Sequence, residues 1–221
     1  MLDAYIQSYN QAVFETDKQG ALDVVNQALS DGFSPEDIVF KLVIPAVELM
    51  MTLIEKDPDA NLAQHFMTAQ IAADVTEKML EKFSKPPEMI GRVVIGAAYG
   101  DLHSLGKRIV SGCLKSLMVD VVDLGTNVSA EKFVNTAMTE NAQVIAVSAM
   151  MVHTATSEKG SLGVRALLQE RGLEQQIKLA VGGAPYRFDP ELYIQVGADA
   201  WAPDGVTAAK VIVDLIREVK P

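Results

Sequence analysis

Beyond residue 90 the chain repeats one pattern five times: a short apolar run, a loop, then an amphipathic stretch. The runs are Val93–Ala98, Val119–Leu124, Val144–Ala149, Leu179–Val181 and a weaker Ala198–Ala202. They are rich in Val, Ile and Ala and lack strict alternation, which is the composition of strands buried on both faces. Between them, helical spacing recurs at about 104–118, 129–140, 156–171, 188–195 and 205–219. Five βα units of this kind predict a parallel, doubly wound sheet with right-handed crossovers. The expected strand order is the flavodoxin-like 2-1-3-4-5. That order puts a switch point between the first and third strands, where open α/β sheets take ligands at the carboxyl ends of their strands.

The first part of the chain has a different period. Apolar residues at helical spacing predict helices over 2–16, 17–30 and 35–54, and a long fourth from about Asn61 to Ser84. Ser34-Pro35 is a helix start, with Ser34 as cap and Pro35 in the first position. Pro45 lies inside the third helix and predicts a kink, because proline removes a donor and crowds the preceding turn. Four helices with short connections make a small bundle. Lys85-Pro86-Pro87-Glu88 is a stiff, solvated junction. The expected organisation is therefore an N-terminal four-helix bundle over 1–86 and a five-stranded, Rossmann-like α/β domain over 87–221.

Composition narrows the function. Apolar residues make up 49% of the 221, ample for a core, yet no apolar run is long enough to span a bilayer. The opening Met1-Leu2-Asp3-Ala4-Tyr5 lacks the regions of a signal peptide, and a single cysteine, Cys113, suits a reducing compartment, so the cytoplasm is expected. The net charge is −10, of which residues 1–86 carry −8 and residues 87–221 carry −2. An acidic chain with no basic stripe is not expected to bind nucleic acid or an anionic membrane. The acidic half reads as a solvated helical surface, or as a docking face for a basic-rimmed partner. Phosphate loops, Cys-x-x-Cys pairs, zinc spacings and nucleophile elbows are all missing from the sequence.

Polar chemistry gathers where the sheet predicts a ligand. After the first strand the chain breaks at Gly96 and Gly100, presents Asp101 and His103 two residues apart, and restarts as a helix after Gly106. His103 is placed to ligate a metal, with Asp101 near enough to orient its second ring nitrogen. Ser148 ends the third strand, and Gly182-Gly183 end the fourth. A loop histidine bonded to backbone and a strand-end serine bonded to its own backbone are the plain alternatives.

Asp101-x-His103-x-x-Gly106, Ser148-Ala149-Met150 and Gly182-Gly183 together resemble the cobalamin-binding domain of methionine synthase and the corrinoid proteins of methyltransferase systems. The motifs lie in residues 90–221, and the preceding helices are similar to those proteins' helical cap. The resemblance implies cobalamin bound base-off, with His103 as lower cobalt ligand and the displaced nucleotide tail inside the protein. It implies that Ser148 meets the buried base, and that Gly182 and Gly183 leave room for the tail. Thr154 stands where a relay hydroxyl is found in the family, and Met150 replaces the usual Leu. Leu102, Ser104, Leu105, Gly106 and Thr126 are the implied neighbours of the corrin ring. Bundle residues such as Met50, Met51, Leu53, Phe66, Met67 and Gln70 are candidates to cover its upper face, although such residues at helical spacing also suit a plain core. His65 lies beside them, and His153 precedes Thr154.

The resemblance further implies a carrier that shuttles methyl as cob(I)alamin and methylcobalamin interconvert. Its partners would be a substrate:corrinoid methyltransferase, a second methyltransferase acting toward tetrahydrofolate or coenzyme M, and a reductive activator of cob(II)alamin. A chain of this length has no room for a barrel that binds a methyl donor, so a carrier subunit is expected in place of a complete enzyme. Other corrinoid roles remain open: a cobalamin-sensing regulator, for which no basic helix-turn-helix is visible, or the cobalamin-binding subunit of an adenosylcobalamin mutase. The segment Ile54–Asn61 departs from the glycine-containing loop and Pro-Glu-Leu run usual in the family.

Overall fold

The computed structural model describes residues 2–56, 62–85 and 88–219. They form two compact units, a helical one ending at Glu88 and an α/β one beginning at Met89. Part of the sequence-predicted junction, Pro86-Pro87, lies outside the described residues, as does most of the departing segment after Lys56.

In the helical unit, helices run over Leu2–Phe14, Lys18–Ser30 and Leu62–Leu80, and a third path runs from Pro35–Asp37 through Ile38–Val43 into Ile44–Lys56. Asp17 caps the second helix by accepting from the Gly20 amide, and Ser34 and Asp37 cap each other's backbone in a capping box. The kink expected at Pro45 takes the form of a widened turn. Over Ile38–Val43 the helix is a π-helix, and the Ile44 amide bonds to the Val39 carbonyl five residues back. Widening relieves the crowding that a proline ring imposes on the turn before it, so the helix continues. The last helix ends at Leu80, short of Ser84. There the Ser84 amide and hydroxyl both donate to the Glu36 carboxylate at 2.8 Å. Tyr9, Val13, Val25, Ile38, Leu42, Val47, Ile71 and Val75 fill the interior.

The α/β unit is a five-stranded parallel sheet in the order β2-β1-β3-β4-β5, with β1 Gly91–Ala97, β2 Val119–Asp123, β3 Val144–Ser148, β4 Lys178–Gly182 and β5 Ala200–Ala202. Inner strands are buried along nearly their whole length, as their unbroken apolar runs require. On one face Val94, Ile145, Val147, Leu179 and Val181 pack with Phe133 and Val134 of helix Ala130–Thr139 and with Val164 and Leu168 of helix Ser161–Glu170. Helices Leu105–Ser116 and Gly205–Val219 follow β1 and β5. Two predicted helices are broken. In place of 156–171 there is a short turn of helix at Val152–Ala155 and then Ser161–Glu170, because Gly160 caps the longer helix and bonds back to Ser157. In place of 188–195 there are Ala184–Phe188 and Leu192–Gln195. Pro190 forces the residue before it out of helical conformation, and Asp189 is extended there. Among the described residues no helix is long and apolar enough to cross a membrane.

Candidate functional site

The loop after β1 is held on both sides. Its Ala98 amide donates to the Ser148 carbonyl of β3, and Ala98 bridges to Val128 of the loop after β2. Gly100 adopts φ +80°, a conformation that favours glycine, and turns the chain so that Asp101 enters the interior. This is the switch point, since β1 has β2 on one side and β3 on the other.

Asp101 is fully buried and is the hub of the site. Its Oδ1 accepts the His103 backbone amide at 2.9 Å and lies 2.8 Å from His103 Nδ1. Two-residue spacing allows this, because an aspartate can close a turn onto the amide two positions on while reaching that residue's side chain. Oδ2 accepts the Met150 amide at 2.5 Å and lies 3.2 Å from the Thr154 hydroxyl. Thr154 Oγ1 is also 2.8 Å from the Met151 carbonyl, so its one proton serves either oxygen. Burial pushes the Asp101 carboxyl up, but the amides of Met150 and His103, with the His103 ring and Thr154, outweigh it and hold the group below the usual carboxylate range.

An ionised Asp101 can only accept, so Nδ1 of His103 donates this bond and Nε2 is the ring nitrogen left for a ligand. Nε2 has no hydrogen-bond partner among the described residues, and the side chain is 59% exposed. Exposed apolar residues of the two segments that meet at Asp101 form a collar at this edge: Leu102 and Leu105 on one, Met150, Met151 and Val152 on the other, with Tyr99 preceding the first. Apolar residues clustered on one edge, around an unused imidazole nitrogen, mark a surface that a large ligand covers.

Ser148, Gly182 and Ala202 lie in register across β3, β4 and β5. No described residue bonds the Ser148 hydroxyl, and the two glycines of the fourth strand end differ in cause. A Cβ on Gly183 would fall 1.9 Å from the Ala149 carbonyl oxygen, and its φ is +116°, so the fold itself demands glycine there. A Cβ on Gly182 would meet only the Ala202 carbonyl at 3.9 Å, and one on Gly106 only the Ser148 hydroxyl at 3.9 Å. Nothing in the protein requires those two residues to be bare. Both leave a slot of open space beside the ends of β3 and β4.

The structure brings some of the sequence-predicted residues together and leaves others apart. Asp101, His103, Thr154 and Met150 are joined by hydrogen bonds, Met150 through its backbone and not its side chain. Leu102 and Leu105 belong to the collar, while Ser104 and Thr126 are half-buried beside it. His153 is exposed and His65 is buried inside the bundle. Met50 and Met51 belong to the bundle's own core, Leu53 is exposed, and Phe66, Met67 and Gln70 are half-buried. Two features escaped the sequence. Lys107, buried on the helix after His103, grips both carboxylate oxygens of Asp123 at 2.7 and 2.5 Å and ties that helix to the end of β2. Asn127 grips the His103 loop itself. Lys107, beside Arg108 in the sequence, reads as one more surface charge, and Asn127 has no spacing signature.

A corrinoid fits this edge. Among the described residues no group of three His, Cys, Asp or Glu side chains could hold a bare ion; His103 would hold a corrinoid's cobalt through its one open ring nitrogen. The apolar collar suits a ring's face, and the slot beside a free Ser148 hydroxyl suits an extended tail.

A parallel sheet with an aspartate-oriented histidine and an open slot at its switch point defines a cofactor-binding module. Residues 91–213 match the family model for the B12 binding domain, and the chain belongs to that family, whose cofactor is cobalamin. The chain is 31% identical to the dimethylamine corrinoid protein of Methanosarcina barkeri, over 96% of this chain and 97% of that one. It is also 31% identical to trimethylamine corrinoid protein 1 of Methanosarcina mazei, over 91% and 90%. In fold it is similar to a chain of the methanol:cobalamin methyltransferase complex of Methanosarcina barkeri. There the TM-score is 0.79 at 24% identity, covering 97% of this chain and 80% of that one.

Proposed function

We propose that this chain is the methyl-carrying corrinoid subunit of a methyltransferase system, binding cobalamin base-off with His103 as the lower cobalt ligand. The observation that carries the reading is the His103 ring. Its Nδ1 is fixed by buried Asp101, while Nε2 is free within an apolar collar. Bound cobalamin would supply a cobalt centre able to accept a methyl group and give it up again. The protein's part is to hold and tune. Asp101 keeps the imidazole in the ligating tautomer, and Thr154 offers a hydroxyl proton to the same carboxylate. The Asp101 carboxylate, held by the Met150 amide and the Thr154 hydroxyl, would keep the His103 ring oriented toward the cobalt that Nε2 would hold. Ser148, Gly106 and Gly182 receive the displaced nucleotide tail.

Relatives named for dimethylamine and trimethylamine support a methylamine:corrinoid methyltransferase as the donor-side partner. A second methyltransferase, toward tetrahydrofolate or coenzyme M, would receive the group, and a reductive activator would rescue cob(II)alamin. The cytoplasm suits this chemistry. Cys113 is buried, and its thiol is pushed up to about 12 by burial, with Asp204 adding to the effect, so it is inert toward disulfide exchange.

The test is His103→Gly in cobalamin-loaded protein. Wild type reduced to cob(II)alamin should show nitrogen superhyperfine splitting in its paramagnetic spectrum. The variant should lose it and shift to water-ligated or ligand-free cobalt, while much of the binding survives through the tail. An unchanged spectrum sinks the ligand assignment.

A further inference from the structure

We infer that Asn127 is a positioning residue for cobalt ligation, acting on His103 through the Gly100–Asp101 segment; this rests on His103 being the lower ligand. Asn127 touches that segment twice. Its side-chain Oδ1 accepts the Gly100 amide at 2.8 Å, and its own backbone amide donates to the Asp101 carbonyl at 2.9 Å. One residue of the loop after β2 therefore brackets the two residues that turn the His103 loop inward. The bracket continues the sheet beyond the strand ends. The Ala97 amide donates to the Gly125 carbonyl and the Val128 amide to the Ala97 carbonyl, so residues 125–128 run beside 97–101.

Asparagine meets two demands at once. The backbone at 127 is left-handed, with φ +56°, a conformation that asparagine tolerates far better than most side chains do. The Gly100 amide also takes its acceptor from this side chain, at the glycine whose φ of +80° turns the loop inward. Glycine at 127 would satisfy the first demand alone, and alanine neither. Aspartate would satisfy both.

The consequence reaches the metal through Asp101. That carboxylate meets His103 at both the backbone amide and Nδ1. Where the Asp101 backbone sits therefore fixes where the imidazole plane and Nε2 point. Asn127 is exposed and touches neither the ring nor the collar residues by any hydrogen bond. Its removal should loosen His103 without emptying the site.

The test compares Asn127→Gly and Asn127→Asp with wild type. In the apo protein, amide exchange at Gly100 should accelerate on the order of fivefold in Asn127→Gly, the effect of one lost neutral hydrogen bond, and return toward wild type in Asn127→Asp. In cobalamin-loaded protein reduced to cob(II)alamin, Asn127→Gly should show a smaller nitrogen-ligated fraction at unchanged cobalamin stoichiometry. Asn127→Asp should restore that fraction. A full nitrogen-ligated fraction in Asn127→Gly overturns the inference, and so does a loss that Asn127→Asp fails to restore. If wild type itself shows no nitrogen ligation, it is the His103 assignment that has failed. The Gly100 exchange rates then still report whether Asn127 braces the loop.

Discussion

The two ends of the sheet treat their polar groups in opposite ways. At the amino edge two arginines are matched within the protein. Arg92, on the first turn of β1, meets Asp120 at 2.6 Å and both the backbone and side chain of Glu140. Arg165 bonds the Gly197 carbonyl, Asp199 at 2.6 Å and Glu174 at 3.4 Å, and Asp199 in turn accepts the Leu179 amide. At the carboxyl edge only the inner layer is matched. Asp101 is saturated with donors, but His103 Nε2 and the Ser148 hydroxyl face outward unpaired, beside glycines the fold does not need. Closed networks stabilise. A closed inner layer carrying open outer groups is a site prepared for something else to complete.

The contrast can be broken from either end. The largest effect on stability is expected at the amino edge. Arg165→Met leaves Asp199 without its cation and should cost about 3 kcal/mol in denaturant unfolding, yet leave the spectrum of bound cobalamin unchanged. A spectral change there would blur the division between the two edges.

Asp101→Asn should do both kinds of damage. The amide keeps an acceptor for His103 but turns a donor toward the Met150 amide, costing about 1–3 kcal/mol for an unsatisfied buried group and weakening nitrogen ligation of cobalt. It should also change the acid limb. A carboxylate held below its ordinary value lends stability that is full above about pH 4 and lost as pH falls through its lowered native value. Acid titration of unfolding should therefore be flatter in the variant below about pH 4. An identical acid limb would mean that Asp101 is not the ionised hub.

Ser148→Leu should weaken cobalamin binding by about tenfold, near 1.4 kcal/mol, and Ser104→Ala by much less, because Ser148 stands between Gly106 and Gly182. Equal affinities would place the tail elsewhere. The smallest effect has the most telling sign. Gly106→Ala, inside a helix, should stabilise the apo protein by about 0.5 kcal/mol while lowering cobalamin affinity. A variant that is more stable and binds equally well would show that the slot is not used.

Much of this was legible in residue order. Unbroken apolar strand runs alternating with amphipathic helices point to a parallel sheet covered on both faces, and the observed strand order is the flavodoxin-like one expected. The Asp101–His103 spacing was legible for the same local reason: a turn two residues long puts one carboxylate against both the amide and the ring. Helix ends were less so. Pro45 declared a disturbance, but whether the chain kinks or widens depends on what packs around it.

Tertiary structure alone decided which polar groups are finished and which are not. Sequence shows Gly106, Gly182 and Gly183 as equals. Only the distance from each missing Cβ to its neighbours separates the glycine that the Ala149 carbonyl demands from the two that line open space. Sequence likewise cannot pair Asp101 with the Met150 amide 49 positions on, or Gly100 with Asn127, because those bonds exist only once β2 and β3 lie on either side of β1. Local spacing chose the chemistry of the site, and long-range pairing set its geometry.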